Sequence, residues 1–542
     1  MPNDFKLSAS GASYGLYDGS KFVEGHNRNR KDVCAQGMSA CSWSVQQVLT
    51  VCGTGKRYKL VTTINLLPDN VLLDIFDFRQ WMHDFGYLNF GWRPSVVWKW
   101  HILVHVCQRW RHIIFGSPLR LNLQIFCTYG TPVRKSLDIW PTFPIVIGYE
   151  GRDRRGRSHN LGPTDEDNII AALEHPSRVC EVRLLAVTGS QSERIAAIMQ
   201  EPFPALTHLL LSSKYRNVPV LPREFLGRSA PCLQELKLDG IPFPALPILL
   251  LSASDLVTLK LCNIPQTGYI SPEVMAAALT TLTRLGFLDI EFRSPNARPG
   301  QMRPPPTTRT VLPALTYFSF HGVREYLEDF MARIDAPRLD SIKIYYLNQL
   351  VDFDVLQLSR FIEHSENLNH PMRCSIQFQS NHVSFCAGPT SYIPESFTVF
   401  PHYIDVTILC EGIDWQVSHL TRAFSQMSAI LLNMVHFTIH SNLTRPQRED
   451  MDDIQWLQLL SPFASVQTLF VSREFAGHVS RALEDIAGTM ATDPFPTLDR
   501  LCLEGLPVSS VDKFIAVHRD SGRHVTLVDT RRAFEERLKS YP

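Results

Sequence analysis

The chain reads as an α/β protein, a long array of strand-then-helix units behind a short all-helical module. Three observations predict it. A six-residue pattern, L-x-x-L-x-L with other apolar residues allowed, recurs down most of the 542 residues. Between its copies lie segments whose apolar residues fall at three- and four-residue steps, the helical period. A proline phrase precedes many of the copies, as in FPALTHLLL, APCLQELKL, LPALTYFSF, APRLDSIKI and FPTLDRLCL. At 44% hydrophobic and 20% charged residues the composition is that of a folded chain.

Residues 1–60 carry little pattern, and Gly, Ser and Asn dominate up to Arg30, so a flexible tail is expected. Residues 61–116 read as a helical module. Pro68 and Asp69 suit a helix start, since proline has no N–H to lose there and a carboxylate complements the positive end of the helix dipole. The spacing predicts a helix over 70–78, with Val71, Leu72, Ile75 and Phe76 in one wide apolar stripe. An insertion at 79–97 brings Trp81, Phe85, Tyr87, Phe90 and Trp92. A second helix is expected from about Trp98 to Ile114, with Leu103, Val106, Cys107, Trp110, Ile113 and Ile114 at helical steps. So few short helices bury too little surface to stand alone, so part of this apolar face should meet a partner or the rest of the chain.

Residues 117–165 read as a connector holding two strand-like runs, LRLNLQIFC and FPIVIGY. RDRRGR at 152–157 reads as a solvated loop. Residues 164–167 resemble a capping box for the helix NIIAALEH. The array is expected over 166–530. Its apolar triplets begin at Val179/Val182/Leu184, Leu206/Leu209/Leu211, Leu233/Leu236/Leu238 and Leu256/Leu259/Leu261. They continue through Leu285/Leu288/Ile290, Leu315/Phe318/Phe320 and Leu339/Ile342/Ile344. Weaker copies lie near Ile376/Phe378 and Ile404/Val406/Ile408, and stronger ones return at Met434, Val466 and Leu498. The steps from 206 to 233, 256 and 285 match the leucine-rich-repeat period of about 20–29 residues. A leucine-rich-repeat-like α/β solenoid, with a curved parallel sheet and outer helices, is therefore expected, each unit hiding its leucines only against its neighbours. A doubly wound sheet also alternates strand and helix, but the short strands and the recurring proline phrase favour the solenoid. In the helix SPEVMAAALTTLTRL, Ser271 is a natural N-cap and Pro272 a natural first residue. SPNARPGQMRPPPTTRT, at 294–310, reads as an exposed loop, and 531–542 as a polar capping tail.

The order Leu67-Pro68, then Val71, Leu72, Ile75 and Phe76, then Val106-Cys107-Gln108-Arg109-Trp110-Arg111 resembles the F-box. The likeness runs on downstream, where IIFGSPLRLNL and TPVRKSLDIWPTFPIVI are similar to the segment that follows the box in large fungal F-box families. The resemblance implies an N-terminal docking module that binds a Skp-family adaptor and, through it, a cullin–RING ubiquitin ligase. Leu67, Pro68, Val71, Leu72, Ile75, Phe76, Leu103, Val106, Cys107 and Trp110 sit on matching motif positions, some facing the adaptor and some holding the box together.

Little else in the sequence points to chemistry. The formal net charge is zero, which argues against a dominant nucleic-acid role. The 12 cysteines include no CxxC pair and read as core residues of a reducing compartment. The N-terminus shows no charged start followed by an apolar core, and no apolar run reaches spanning length, so cytosol or nucleus is expected, with no membrane partner. Gly53-Thr54-Gly55-Lys56 lacks P-loop spacing. His518-Arg519-Asp520 lacks the partners of a kinase loop. His101 and His105 lie one helical turn apart without a third metal ligand. Asp352 and Asp354 read as solvated or capping. No cofactor, metal or catalytic set is expected.

The expected function is a target-recruiting subunit of an SCF-type ubiquitin ligase, working by proximity: tethering raises the effective concentration of a target lysine. The alternatives are a repeat scaffold or sensor without a ligase, and an enzyme on an unrecognised α/β fold. An unknown protein target would lie on the strand positions between the apolar ones. Arg183, Leu210, Lys237, Lys260, Asp289, Ser319 and Lys343 form one expected row, and Glu181, His208, Glu235, Thr258, Phe287, Tyr317 and Ser341 another. Lys237, Lys260 and Lys343, flanked by Phe287 and Tyr317, are the expected target-binding residues, with a preference for acidic-plus-apolar ligands.

Overall fold

The computed structural model describes residues 67–85, 100–129, 131–149, 161–213, 215, 218–294, 308–347, 353–368, 371–389, 403–441, 453–489, 495–505 and 511–528. The expected N-terminal tail, the loop at 152–157, the phosphate-loop mimic at 53–56, Asp352 and the capping tail lie outside these residues. So does most of the proline-rich loop.

Two compact units are present, 1–72 and 73–542. In the first, the Pro68 carbonyl accepts from the N–H groups of Val71 and Leu72 at 3.1 Å each, which opens helix α1 (Asp69–Phe85). Leu72 is buried, Leu67 and Val71 are half-buried, and Pro68 is exposed. α1 runs seven residues beyond the expected end at Phe78, because no Gly or Pro breaks the sequence before Gly86.

In the second unit, the single helix expected over 98–114 is two helices, α2 (Trp100–Val104) and α3 (Gln108–Gly116). Cys107 is extended between them (φ −159°, ψ 169°), and its Sγ accepts from the Trp110 N–H at 3.4 Å as the N-cap of α3. The Trp110 ring meets Phe76 edge-on at 4.9 Å, and Arg111 donates to the Val104 carbonyl at 3.0 Å. Trp100 packs edge-on against Trp140 (5.0 Å) and Phe143 (5.5 Å), and its indole N–H donates to the Gln124 carbonyl at 2.9 Å.

The strands are β1 Ile125–Cys127, β2 Ile145–Tyr149, β3 Val179–Leu184, β4 His208–Ser212, β5 Glu235–Asp239, β6 Thr258–Ile264, β7 Phe287–Phe292, β8 Thr310–Val311 and β9 Tyr317–Gly322. They continue as β10 Ile334–Asp335, β11 Ser341–Tyr346, β12 Arg373–Phe378, β13 His382–Gly388, β14 Tyr403–Leu409, β15 His436–Ser441, β16 Thr468–Val471, β17 Arg500–Leu503 and β18 Thr526–Leu527. β8 and β10 pair with each other. The other sixteen form one sheet in the order β1-β2-β3-β4-β5-β6-β7-β9-β11-β14-β13-β12-β15-β16-β17-β18. The run expected as a connector thus supplies the first two strands of the sheet itself.

This order decides between the two expected architectures. A doubly wound sheet reverses its strand order at a switch point. Here β1 to β11 advance in one direction through parallel pairs. With right-handed crossovers, every connecting helix then falls on the same face. Helices need 8–10 Å of lateral room and strands about 4.8 Å, so the sheet bends and leaves its open face concave. The protein is a leucine-rich-repeat-like solenoid.

The proline phrase explains how each unit enters the sheet. In Phe203-Pro204-Ala205-Leu206 the Leu206 N–H donates to the Phe203 carbonyl at 3.1 Å, and the same turn recurs at 230–233, 312–315, 336–339 and 495–498. Proline sits second in each, where its fixed φ is already that of the turn. The residue after each turn then donates to its counterpart one unit earlier. This ladder runs from Cys180 through Thr207, Gln234, Val257, Gly286, Thr316 and Asp340 in steps of 23 to 30 residues. The apolar triplets point away from the open face: Leu209, Leu236, Leu259, Leu288, Phe318 and Ile342 are fully buried. Each contributes about 1.5–3 kcal/mol by leaving water.

The regularity breaks once. After Asp340 the ladder next reaches Tyr403, 63 residues on. The intervening β12 and β13 form an antiparallel hairpin, β13 also runs antiparallel to β14, and β12 carries the array forward by pairing in parallel with β15. The chain therefore skips two positions, turns back, and fills the slot beside β11 last.

Local details agree with the sequence at some ends and not others. Ser271 caps its helix, its Oγ accepting from Val274 N at 3.4 Å, with Pro272 first. The capping box expected at 164–167 lies earlier. The helix there is Pro163–Leu173, and the Asp165 carboxylate accepts from Gly162 N at 3.4 Å, because Pro163 takes the first helical position. Gly240 ends β5 with φ +68°, donates to the Cys262 carbonyl at 2.9 Å, and would place a Cβ 2.6 Å from the Ser213 carbonyl oxygen. Gly240→Ala should therefore lower stability by about 1–3 kcal/mol, from the left-handed penalty and the clash with fixed backbone. A urea midpoint equal to that of the parent chain would refute this.

Successive helices also cap one another. Glu328, on the helix Arg324–Met331, accepts from the N–H groups of Gln357 (2.7 Å) and Leu358 (3.1 Å), the first turn of the helix Leu356–Glu363. Glu484, on Arg473–Thr489, accepts in the same way from Lys513 (2.9 Å) and Phe514 (3.2 Å) at the start of Asp512–Asp520.

Candidate functional site

The open face of the sheet follows from strand alternation. Neighbouring side chains along a strand point to opposite faces, so the residues between the buried apolar ones are offered outward. The register sets them in rows. One row runs Glu181, His208, Glu235, Thr258, Phe287, Tyr317, Ser341, Tyr403. The next runs Arg183, Leu210, Lys237, Lys260, Asp289, Ser319, Lys343, Asp405. Both rows expected from the sequence are present, each extended by a residue of β14.

Three of the five expected target residues meet. The rings of Phe287 and Tyr317 stack at 4.3 Å, 8° from parallel, and the Lys260 ammonium stands 4.6 Å over the Phe287 ring. Such a contact contributes on the order of 0.5–1 kcal/mol at an open site. Lys237 is the register neighbour of Lys260. Lys343 stands apart, three strands from Lys260, between Ser319 and Asp405.

Carboxylates temper the lysines. Burial pushes the Asp289 carboxyl above the usual range, against a hydrogen bond from Ser319 and the charges of Lys260 and Lys237. Burial likewise raises Asp405, opposed by the charge of Lys343 and by hydrogen bonds from Tyr403, Cys386 and Thr407. The Cys386 thiol, 3.5 Å from the Tyr403 hydroxyl, is pushed up to about 12, chiefly by burial. A thiol held that high is protonated at neutral pH and serves as a packing and hydrogen-bonding group. This part of the face is therefore mixed in charge, with an aromatic stack at its centre. Sequence reasoning missed Tyr403, Asp405 and Cys386, because the weak copy at 404–408 gives no sign that it lies beside β11.

The helical module offers a second surface. Of the expected adaptor residues in 73–542, Phe76 and Trp110 are buried and hold the module together. Leu103 and Cys107 are half-buried, and Cys107 acts as a cap. Ile75 and Val106 stand open, 42% and 55% exposed, joined by Phe78 (59%) and Ile102 (54%). The last two were not among the expected residues. Phe78 lies three positions after Ile75 and Ile102 four before Val106, so helical spacing marks both.

The minor chemical motifs resolve into structure. His105 is exposed with its ring 5.9 Å from that of Trp140. The Asp354 carboxylate accepts from the Leu356 N–H at 3.1 Å at a helix start. His518 is buried in its helix with Nδ1 3.0 Å from the Phe514 carbonyl. Among the described residues no group of three His, Cys, Asp or Glu is placed to hold a metal ion, and no helix is long and apolar enough to cross a membrane.

No protein-family model matches the chain, and no curated protein matches it. Among solved structures, a chain in the crystal structure of a TLR13–ssRNA13 complex is similar over 69% of this chain and 44% of its own length, with 13% identity and a TM-score of 0.26. The match thus spans less than half of that chain.

Proposed function

We propose that the protein is a target-recruiting subunit of an SCF-type ubiquitin ligase. Its helical module docks a Skp-family adaptor and the open face of its solenoid holds the protein to be modified. The observation that carries the reading is the exposure of Ile75, Phe78, Ile102 and Val106 on α1 and α2 and just after them, beside a core built from their neighbours Phe76 and Trp110. Large apolar side chains left open on a small module mark an interaction site. The repeat surface supports the second half of the reading. Its aromatic stack and mixed charges lie on fixed strands, which suits recognition of an extended polypeptide segment. Catalysis would belong to the partner proteins, this chain supplying proximity alone.

The test is direct. The purified chain is mixed with a Skp-family adaptor and the pair is resolved by size-exclusion chromatography. A stoichiometric complex is the expected result. Two separate peaks at micromolar concentrations would reject the ligase reading and leave a repeat scaffold.

A further inference from the structure

Beyond the hairpin the open face changes character. Arg373 on β12, His436 on β15, Thr468 on β16 and Arg500 on β17 are register partners in turn. Adjacent strands lie about 4.8 Å apart, so the two arginines begin about 14 Å from each other with a histidine and a hydroxyl between them. An arginine side chain spans half that distance, and both guanidiniums bear on the ring between them. Burial first, and then the charges of Arg373 and Arg500, hold the His436 pKa below the usual histidine value.

What sets this row apart is a histidine flanked by arginines across neighbouring strands. Arg134, Arg284 and Arg333 are each held by a carboxylate, at 2.9, 2.9 and 2.8 Å. Among the described residues no carboxylate pairs with Arg373, His436 or Arg500. Among the described residues, two arginines and a histidine thus share one row without a paired carboxylate, in a chain whose overall charge is zero. The row beside it is Ser375, Thr438, Phe470 and Cys502, and the half-buried Phe470 ring lies 5.6 Å from that of His440.

We propose that Arg373, His436, Thr468 and Arg500 form a phosphoryl-recognition site for an extended phosphopeptide, whose neighbouring side chain rests on Phe470. The site rests on the reading of the solenoid as the target-holding part. A phosphorylated side chain brings a charge near −2 and three acceptor oxygens to one point, which two arginine forks, a histidine and a hydroxyl can surround. A nucleic-acid strand fits less well. It would carry its charges on across the sheet towards Asp405, Glu291 and Asp289, which repel them. The cationic row is one phosphate wide and ends in a mixed-charge face, as charge complementarity to a single modified residue requires.

The experiment uses the full chain immobilised at physiological salt. It is offered a degenerate peptide pool with one central phosphoserine, the same pool unphosphorylated, and a single-stranded RNA oligonucleotide. Retention of the phosphorylated pool about tenfold or more above the unphosphorylated one is expected, since ion-assisted bonds to two arginines are lost without the phosphate. Arg373→Gln with Arg500→Gln should erase the difference. Arg373→Lys with Arg500→Lys should keep part of it, because lysine retains the charge and loses the fork. Melting curves of both variants should overlay that of the parent, as expected for side chains that no described carboxylate holds. Equal retention of the two pools overturns the inference, and so does full discrimination by the glutamine variant. RNA held as firmly as phosphopeptide and released by the same variant overturns it in favour of a nucleic-acid site. Adaptor capture is scored separately with the parent chain. Its failure rejects the proposed ligase role, whereas absence of phosphate discrimination by the parent chain with capture intact rejects this site alone.

Discussion

Ile75→Asp combined with Val106→Asp is expected to weaken capture of a Skp-family adaptor by about a hundredfold or more, with the solenoid melting unchanged. Both side chains stand open, 42% and 55% exposed, so replacing them removes little from the fold, within about 0.5 kcal/mol each. About half of each side chain is already out of water, so an adaptor that covers the rest would gain on the order of 1 kcal/mol apiece. In their place it would meet two carboxylates with no partner, at a further cost. The lost apolar contact and the stranded carboxylates together exceed the 2.7 kcal/mol or so of a hundredfold change. Phe76→Ala and Trp110→Ala make an instructive contrast. These rings are 2% and 9% exposed and meet at 4.9 Å, so their loss should cost about 3–5 kcal/mol and melt the module itself. Adaptor capture lost in those variants says nothing about docking. Capture that survives the double aspartate variant at full strength would remove the proposed interface.

What the sequence made legible follows from which forces are local. Leu209, Leu236 and Leu259 repeat because each must hide from water at the same point of its unit, and that need is written as a period. The entry turns were legible for the same reason: proline fixes φ at the second turn position whatever the rest of the chain does. Once strands are placed, alternation alone assigns Lys260, Phe287 and Tyr317 to one face, and their stacking follows.

Pairing order is not local. HVSFCAG in β13 alternates as well as any other strand, yet nothing in it states that it runs backwards or that β14 fills the slot beside β11. Asp405 and Cys386 were therefore invisible as neighbours of Lys343, and the row Arg373–His436–Thr468–Arg500 could not be assembled across the hairpin. The break at Cys107 was hidden differently. Leu103, Val106, Cys107 and Trp110 keep helical spacing straight through it, so periodicity reports one helix where the backbone makes two.

Glu328 carries the last prediction, because it joins two units through a buried charge. Its carboxylate is 5% exposed and closes the first turn of the next helix by accepting from Gln357 and Leu358. Burial raises its pKa from 4.5 to about 7, against the two backbone hydrogen bonds and the charge of Arg324. The sign follows from linkage. A carboxyl whose folded pKa lies above its unfolded value binds its proton more tightly when folded. The stabilisation is complete below about pH 4.5 and is lost as pH rises through 7, a span worth roughly 3 kcal/mol. Glu328→Gln keeps an acceptor and cannot ionise. It should match the parent chain's denaturation midpoint near pH 4.5 and exceed it near pH 8. Glu328→Ala removes the acceptor as well and strands two buried N–H groups, at about 1–3 kcal/mol each, so its deficit should appear at both pH values. Taking the difference between parent and glutamine variant cancels the other titrating groups, such as Asp289 and Asp405, which shift in the same direction. Equal midpoints for parent and Glu328→Gln from pH 4.5 to 8 would show that the two hydrogen bonds already hold the carboxylate as comfortably as water does. The helices would then be capped without any stored sensitivity to pH.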